Sequence, residues 1–523
     1  MTIRRVVDGQ AGLPSPNPTR SYWHTEPSSV LLGHRTTPEL PATADIVVIG
    51  SGITGSFAAH FLKNGGAKNA SVLMLEAREA CWGATGRNGG HCQPLLYSST
   101  PEVARFELDT YSFLQDFIRE HQVPCDWTSL RGCHAYLSED LFGAAQASVA
   151  KLHKLDPELA AQVEVIESSR LRQDETKTAT TLSSLRIPDA HGAVVQKNAA
   201  SLWPYKLVAY VLEQLLGHFP AGAFNLQTRT PVTSLHRRHD TTDAASASSR
   251  PWLLSTPRGR IAARTVLLCT NAYTSRLLPS FADLIVPVRG QVAALLLPPL
   301  PPSARQAVPP IQLACSYVFA GPGAETPAGR ALGRDEYLVQ RPVTASAGGE
   351  LIFGGGRDHA RAPAVGEWRD DVVDDDVGRY LRRNVSPPLD LSSDGPRMRG
   401  GSELDATMEW TGIMGFSRDQ HPWVGPVPES MGGGGKDGGL WVCGGYSGHG
   451  MPAAALCARA VARSITGEEA TGAQSGEVVL PAAFVLNEER IAHAREKLET
   501  VKESDRRGGT TVFSSLRVSV PPF

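Results

Sequence analysis

The stretch Asp45-Ile46-Val47-Val48-Ile49-Gly50-Ser51-Gly52-Ile53-Thr54-Gly55 sets the fold. Residues 45–49 form a β-branched run suited to a buried parallel strand, and residues 54–62 read as the helix that follows it. Between them Gly50 permits a sharp turn, Gly52 lets backbone approach a ligand without a Cβ in the way, and Gly55 lets the helix pack close to its strand. Free N–H groups and the positive end of the helix dipole, with Ser51 and Thr54 in the same turn, then face the phosphates of a pyrophosphate. A second strand follows at 71–75 and ends on Glu76, about 20 residues after Gly55, where an acid accepts hydrogen bonds from a ribose. The spacing predicts a dinucleotide site and leaves NAD and FAD both open.

A second glycine-rich turn, Gly444-Gly445-Tyr446-Ser447-Gly448-His449-Gly450-Met451, joins another strand-like run to a helix-like one far downstream. Two such turns predict one extended cofactor held at both ends. The residues after Glu76 favour FAD. Glu76-Ala77-Arg78 leads into Trp82-Gly83-Ala84-Thr85-Gly86-Arg87-Asn88-Gly89-Gly90-His91, a loop of four glycines, a cation and small hydrogen-bonding groups. Such a loop can wrap backbone donors around a pyrophosphate and pass close to a flat ring. An NAD-linked dehydrogenase has no evident need for both this loop and the Gly448 turn, and is the weaker reading.

These segments resemble the FAD-dependent oxidoreductases of the D-amino-acid oxidase superfamily, in particular the branch containing γ-glutamylputrescine oxidase. There a Gly-Ala-Thr-Gly-Arg-Asn-Gly-Gly segment follows the ribose-binding acid. Thr228-Arg229-Thr230-Pro231-Val232-Thr233 is similar to the family strand whose valine backbone meets the adenine, and Val266-Leu267-Leu268-Cys269-Thr270-Asn271 to the strand that returns to the cofactor. Pro287-Val288-Arg289-Gly290-Gln291, Phe353-Gly354-Gly355-Gly356-Arg357 and Gly412-Ile413-Met414-Gly415-Phe416-Ser417-Arg418-Asp419 resemble later family segments. The resemblance implies an α/β and α+β chain, with a Rossmann-like FAD-binding domain and an interleaved mixed-sheet substrate domain. FAD is then expected to meet Gly50, Ser51, Gly52, Thr54, Gly55, Glu76, Ala77, Arg78, Thr85, Gly86, Arg87, Asn88, Gly89, Val232 and Asn271. Gly448, His449, Gly450 and Met451 are expected at the flavin end, where backbone donors and a helix N-terminus suit a ring that turns anionic.

The implied reaction passes a hydride from a C–H beside nitrogen, in an amine or modified amino acid, to flavin N5, with oxygen or another acceptor restoring the flavin. A flavoprotein that binds FAD without turnover is the alternative from another class. His91 is the expected catalytic residue, a hydrogen-bonding or acid–base group beside the flavin, with a structural histidine as the alternative. Arg87 is read as an anchor for the loop or cofactor. Tyr317, Tyr337 and Arg341 are candidate substrate contacts, with packing as the competing role.

Three departures limit what the resemblance carries. Monomeric sarcosine oxidase attaches its flavin through a cysteine in a segment similar to 412–416, which has none here, so non-covalent FAD is expected. Its oxygen-activating lysine falls where Ile352 stands. The arginine by which glycine and D-amino-acid oxidases hold a substrate carboxylate falls at Met414. An amine or larger modified substrate therefore fits better than a small free amino acid.

The 523 residues carry 51 basic against 53 acidic side chains, a net charge of −2, so nothing marks a nucleic-acid or membrane-surface partner. Eight scattered cysteines show no zinc spacing, and Asp374-Asp375-Asp376 reads as the flank of a helix rather than a metal loop. No apolar leader, membrane-length apolar run or C-terminal Ser-Lys-Leu is seen, which gives a cytoplasmic expectation. Residues 1–40 are expected as an N-terminal arm over the surface. Residues 41–98, 191–283 and 399–470 form the expected FAD-binding domain, 99–190 and 284–398 the substrate domain, and 471–523 a C-terminal helix (488–502) and tail. Residues 240–250 read as a loop by composition.

Overall fold

The computed structural model describes residues 9–168, 180–238, 250–297, 311–322, 333–343, 348–392, 403–468 and 478–496. Their strands form two sheets. In the eight-stranded sheet Thr43–Ile49 lies between Gly259–Leu268 and Val72–Leu75, parallel to both, with Val47 opposite Val266 and Leu73. Leu440–Gly444 extends one side in parallel and Phe224–Gln227 the other. Side chains from Ile46 to Ile49 alternate between two cores, as a strand covered on both faces requires. Ile46 and Val48 pack with Phe57, Leu62, Leu212 and Val461 from the helices Ile53–Asn64, Pro204–His218 and Ala454–Thr466. Val47 and Ile49 join Leu254, Phe281, Ile285 and Trp423 on the opposite face.

The nine-stranded sheet is mixed. Its order runs Ala406–Ser417, Ile285–Leu295, Leu351–Gly354, Gly333–Gln340, Cys315–Pro322, Thr128–Tyr136, Gly192–Ser201 and His91–Cys92, with Val163–Glu167 beside Gly192–Ser201. Cys315–Pro322 and Thr128–Tyr136 run parallel, whereas their outer neighbours are antiparallel. The chain passes repeatedly between the two sheets, so the expected parallel α/β layer with an interleaved mixed sheet is the architecture observed. His91–Cys92 and Gly192–Ser201 belong to the mixed sheet although they fall within stretches expected on the cofactor side.

Helix Pro101–Glu120 connects the sheets to the site. Pro101 occupies its first turn, where a missing N–H goes unneeded, and the Thr100 hydroxyl accepts from Val103 N at 3.5 Å. Val103, Phe106, Glu107, Tyr111, Leu114 and Phe117 fall on its buried face. Asp374 caps the helix Asp375–Arg383, its carboxylate accepting from Asp376 N and Val377 N, which confirms the helix-flank reading of the acidic run.

Two expectations change. Val232 lies in no strand: it follows Pro231, which has no N–H to give a ladder, between Phe224–Gln227 and Ser234–Arg237. The N-terminal arm is not a surface strap, since Ala11 and Trp23 are fully buried and Trp23 packs edge-on to Tyr22 and Trp203. Its aromatic side chains give it enough apolar area to enter the core. Residues 240–249 of the expected loop and 497–502 of the expected terminal helix lie outside the described residues, and 488–496 is helical.

Candidate functional site

A cavity of about 640 Å³ is lined by elements of both sheets. At one end stands the first glycine turn. Gly50 has φ +105°, a region open to glycine, and its N–H donates to Leu75 O at 2.9 Å. A Cβ on Gly55 would sit 1.9 Å from the Gly50 carbonyl oxygen, so this residue sets how tightly the helix joins the turn. Thr85 reaches across from the arginine loop, its Oγ1 accepting from Ile53 N at 3.1 Å. Glu76 closes the turn: one carboxylate oxygen accepts from Ser51 N at 3.1 Å and Ser51 Oγ at 2.6 Å, the other from Arg78 N at 2.9 Å.

Arg78 and Arg87, both on the cavity wall, converge on one buried carboxylate. Asp370 is 1% exposed and pairs with Arg78 at 2.9 Å and Arg87 at 3.2 Å. Arg78 also donates to Trp82 O at 2.6 Å, and Arg87 to Thr411 O at 2.7 Å and to Thr19 O. Burial lowers Arg87 to about 10 although Asp370 opposes the shift, so it stays cationic at neutral pH. The arm braces the same loop: Ser21 Oγ donates to Gly86 O at 2.7 Å and Trp23 Nε1 to Asn88 O at 2.6 Å.

The far end is built by the second glycine turn and the mixed sheet. Asn271, itself at φ +45°, accepts from Gly445 N at 2.9 Å and so holds the turn, and Tyr446 OH meets Thr54 Oγ1 at 3.0 Å. His449 Nε2 lies 3.2 Å from Glu107 Oε2, a carboxylate that also accepts from Leu95 N at 2.7 Å. His91 Nε2 lies 2.9 Å from Ser316 Oγ. Burial, reinforced by His449, lowers His91 to about 4, and burial lowers His134 to about 3, so both imidazoles are neutral at pH 7. At the other end, against the Gly50 turn, the Cys269 thiol is pushed well up by burial and carries no thiolate.

A described family, DAO, FAD dependent oxidoreductase, matches residues 45–464. The chain belongs to this family. It is 23% identical over 455 residues to the probable oxidoreductase OrdL of Rhizobium meliloti (strain 1021), covering 82% of this chain and 85% of that protein. It is 22% identical over 446 residues to γ-glutamylputrescine oxidoreductase of Escherichia coli (strain K12), covering 82% and 84%. Its fold is similar to that of glycine oxidase from Geobacillus kaustophilus, with a TM-score of 0.57 and 16% identity over 86% of this chain and 99% of that one. The chain is an FAD-dependent oxidoreductase, and its cofactor is FAD. The residues present fit that group: a glycine turn opens a helix at one end, a second glycine turn opens a helix at the other, two arginines line the wall, and the volume lies within the ~300–1,000 Å³ usual for such sites.

Of the residues expected around FAD, all but Gly55 and Gly86 line this cavity. Those two act behind the wall: Gly55 packs on Gly50, and a Cβ on Gly86 would strike Cys81 O and His24. His91 and Tyr337 also line it. Tyr317 and Arg341 do not. Tyr317 is fully buried on the other face of its strand, donating to Leu185 O at 3.0 Å, and Arg341 pairs with Asp126 at 2.5 Å beside the rings of Trp23 and Trp203. Met414 is on the wall, whereas Ile352 is buried in the core between Ala294 and Val339. Glu107, His134 and Asp370 stand in none of the motifs: Glu107 and His134 reach the cavity by tertiary packing, and Asp370 acts on it through Arg78 and Arg87. Among the described residues no group of three or more His, Cys, Asp or Glu side chains could hold a metal ion, and no helix is long and apolar enough to cross a membrane.

Proposed function

We propose that this oxidoreductase oxidises a C–N bond of an amine or modified amino acid, and that the mixed-sheet side of the cavity receives that substrate. The observation that carries the reading is the continuity of one cavity from the Gly50 turn to His91 and Tyr337. When bound, the flavin supplies hydride acceptance from a carbon beside nitrogen. In this reading the turn at Gly50, Ser51, Gly52 and Thr54 holds the pyrophosphate, with Arg78 and the 85–89 loop beside it. Glu76 holds the ribose and Val232 borders the adenine. The parallel sheet and its helices serve as the FAD-binding domain, with the mixed sheet as the substrate domain.

The chain's own groups do the rest. Gly448, His449, Gly450 and Met451 bring backbone N–H groups and the start of helix Ala454–Thr466 towards the ring end, where negative charge is stabilised. His91, neutral at working pH and held by Ser316 at Nε2, leaves Nδ1 to face a substrate nitrogen. Met414 gives the wall an apolar surface rather than a cation, which suits an amine or a modified amino acid. The names of the relatives support the class: one is a γ-glutamylputrescine oxidoreductase and a structural neighbour is a glycine oxidase. Eight free, buried cysteines suit a reducing compartment, and a cytoplasmic setting is part of the proposal.

The test is anaerobic mixing of the yellow protein with a panel of amines, N-methyl amino acids and γ-glutamyl amines. Bleaching by one of these supports the reading. Peroxide formed on admitting air assigns oxygen as acceptor, bleaching without peroxide assigns another acceptor, and absence of bleaching across the panel would overturn the substrate class.

A further inference from the structure

Behind His91 runs a chain of buried polar side chains that the proposed reaction does not use. Ser316 Oγ lies 2.9 Å from His91 Nε2 and donates to Gln93 Oε1 at 3.4 Å. Gln93 Nε2 lies 2.6 Å from His134 Nε2, and His134 Nδ1 lies 2.5 Å from the Tyr97 hydroxyl, which meets Tyr136 OH at 2.6 Å. Ser316, Gln93, His134, Tyr97 and Tyr136 are each under 5% exposed, and Gln93 and His134 border the cavity.

The sheet builds this arrangement. Gly132, His134 and Tyr136 share one face of their strand by the two-residue period, and Ser316 stands directly opposite Gly132 in the parallel pairing. A Cβ on Gly132 would lie 2.4 Å from Gln93 Nε2 and 2.6 Å from its Cδ. That glycine is therefore the floor on which the amide lies flat. Gly132 does not have a positive φ, so the demand for glycine here is steric and not conformational.

A primary amide has two different ends, and this gives the chain a direction. The amide nitrogen only donates, so the His134 Nε2 facing it must be the acceptor, and His134 carries its proton on Nδ1. The amide oxygen only accepts, so Ser316 gives its hydrogen to Gln93 and uses a lone pair towards His91. His91 must then carry its proton on Nε2 and keep Nδ1 as its acceptor. Both rings have a single proton because burial keeps them neutral.

We propose that Gln93, seated on Gly132, is a positioning residue that fixes the ring tautomer of His91 through Ser316 and that of His134 directly. Rotating the amide end for end would reverse both histidines together, so the orientation of Gln93 sets whether His91 presents an acceptor or a donor at Nδ1. Any use of that acceptor on a substrate nitrogen rests on the function proposed above; the tautomer itself does not.

The experiment is a long-range ¹H–¹⁵N correlation on ¹⁵N-histidine-labelled, FAD-loaded protein, with His91 assigned from the His91→Asn variant. The native protein is expected to show His91 as a single Nε2–H form. Gln93→Met and Ser316→Ala are each expected to collapse the separation between its two ring-nitrogen resonances towards the tautomeric average, and Ser316→Thr to restore it. Gly132→Ala is expected to act like Gln93→Met, by lifting the amide from its floor. An Nδ1–H form in the native protein, or an unchanged His91 signal in folded Gln93→Met and Ser316→Ala proteins, overturns the assignment. Because the readout needs no turnover, a lack of activity on amines leaves this result standing, and the two ideas fail separately.

Discussion

Asp370→Asn tests whether the buried charge balance of the arginine loop holds the site together. Asparagine is nearly isosteric and keeps one acceptor oxygen, so the substitution removes charge while preserving volume. Arg78 and Arg87 are 6% and 2% exposed, and Asp370 is the carboxylate paired with both. Removing one partner of a buried ion pair costs ~3–5 kcal/mol, because an uncompensated charge stays in a poorly polarisable place. The carbonyls of Trp82 and Thr411 still accept from the two guanidiniums, which holds the expected loss near the lower end, about 3 kcal/mol. Arg87 is already lowered to about 10 by burial, and the missing carboxylate shifts it further down. The assay is urea unfolding of matched native and variant proteins, followed by flavin fluorescence and far-ultraviolet circular dichroism. Added salt should not rescue the variant, since screening acts weakly on buried charges. A shift below ~0.5 kcal/mol, the range of an ordinary surface change, refutes the argument that this carboxylate neutralises two buried cations.

Gly55→Ala places a methyl 1.9 Å from the Gly50 carbonyl, which is backbone and cannot swing aside; a loss of ~1–3 kcal/mol and lower FAD content after gel filtration are expected. Trp23→Ala empties a fully buried site in the arm and is expected to lose ~3–5 kcal/mol in the same urea titration. His91 and His134, lowered to about 4 and about 3 by burial, resist protonation in the fold while the unfolded chain titrates near 6.5. Their contribution is therefore intact above pH 6.5 and is lost as pH falls towards those values, at up to ~1.4 kcal/mol per pH unit for each ring, and His134→Phe should flatten the acid limb of a stability–pH curve.

How much of this was legible in the sequence depends on how far each feature reaches. The Asp45–Gly55 stretch could be read because its demands are local: a β-branched strand, a turn only glycine allows at Gly50, and a helix start pressed against it. Glu76 followed from strand spacing. Tyr317 was misplaced for a different reason. In Cys315–Pro322 alternate residues face opposite ways, and a single strand does not say which parity meets the cavity. Ser316 and Val318 face it, while Tyr317 joins Leu185 and Phe319 in the core behind. Asp370 had no signal at all, since its partner Arg78 is 292 residues away in sequence and neither flank forms a motif.

Those long-range partners also explain why the arginine loop can be rich in glycine and still be fixed. A loop with Gly83, Gly86, Gly89 and Gly90 would have a high entropy of ordering on its own. Here it is tied from three directions: Thr85 to the first glycine turn at Ile53, and, from outside the cofactor motifs, Arg87 to Asp370 and Thr411, and the carbonyls of Gly86 and Asn88 to Ser21 and Trp23 of the arm. Thr19, Ser21 and Trp23 precede the family match, which begins at residue 45. The glycines give the loop its close approach, and side chains from outside the motif give it a single shape. Preorganisation of the pocket is therefore a property of the whole chain, even where its chemistry belongs to a short run of residues.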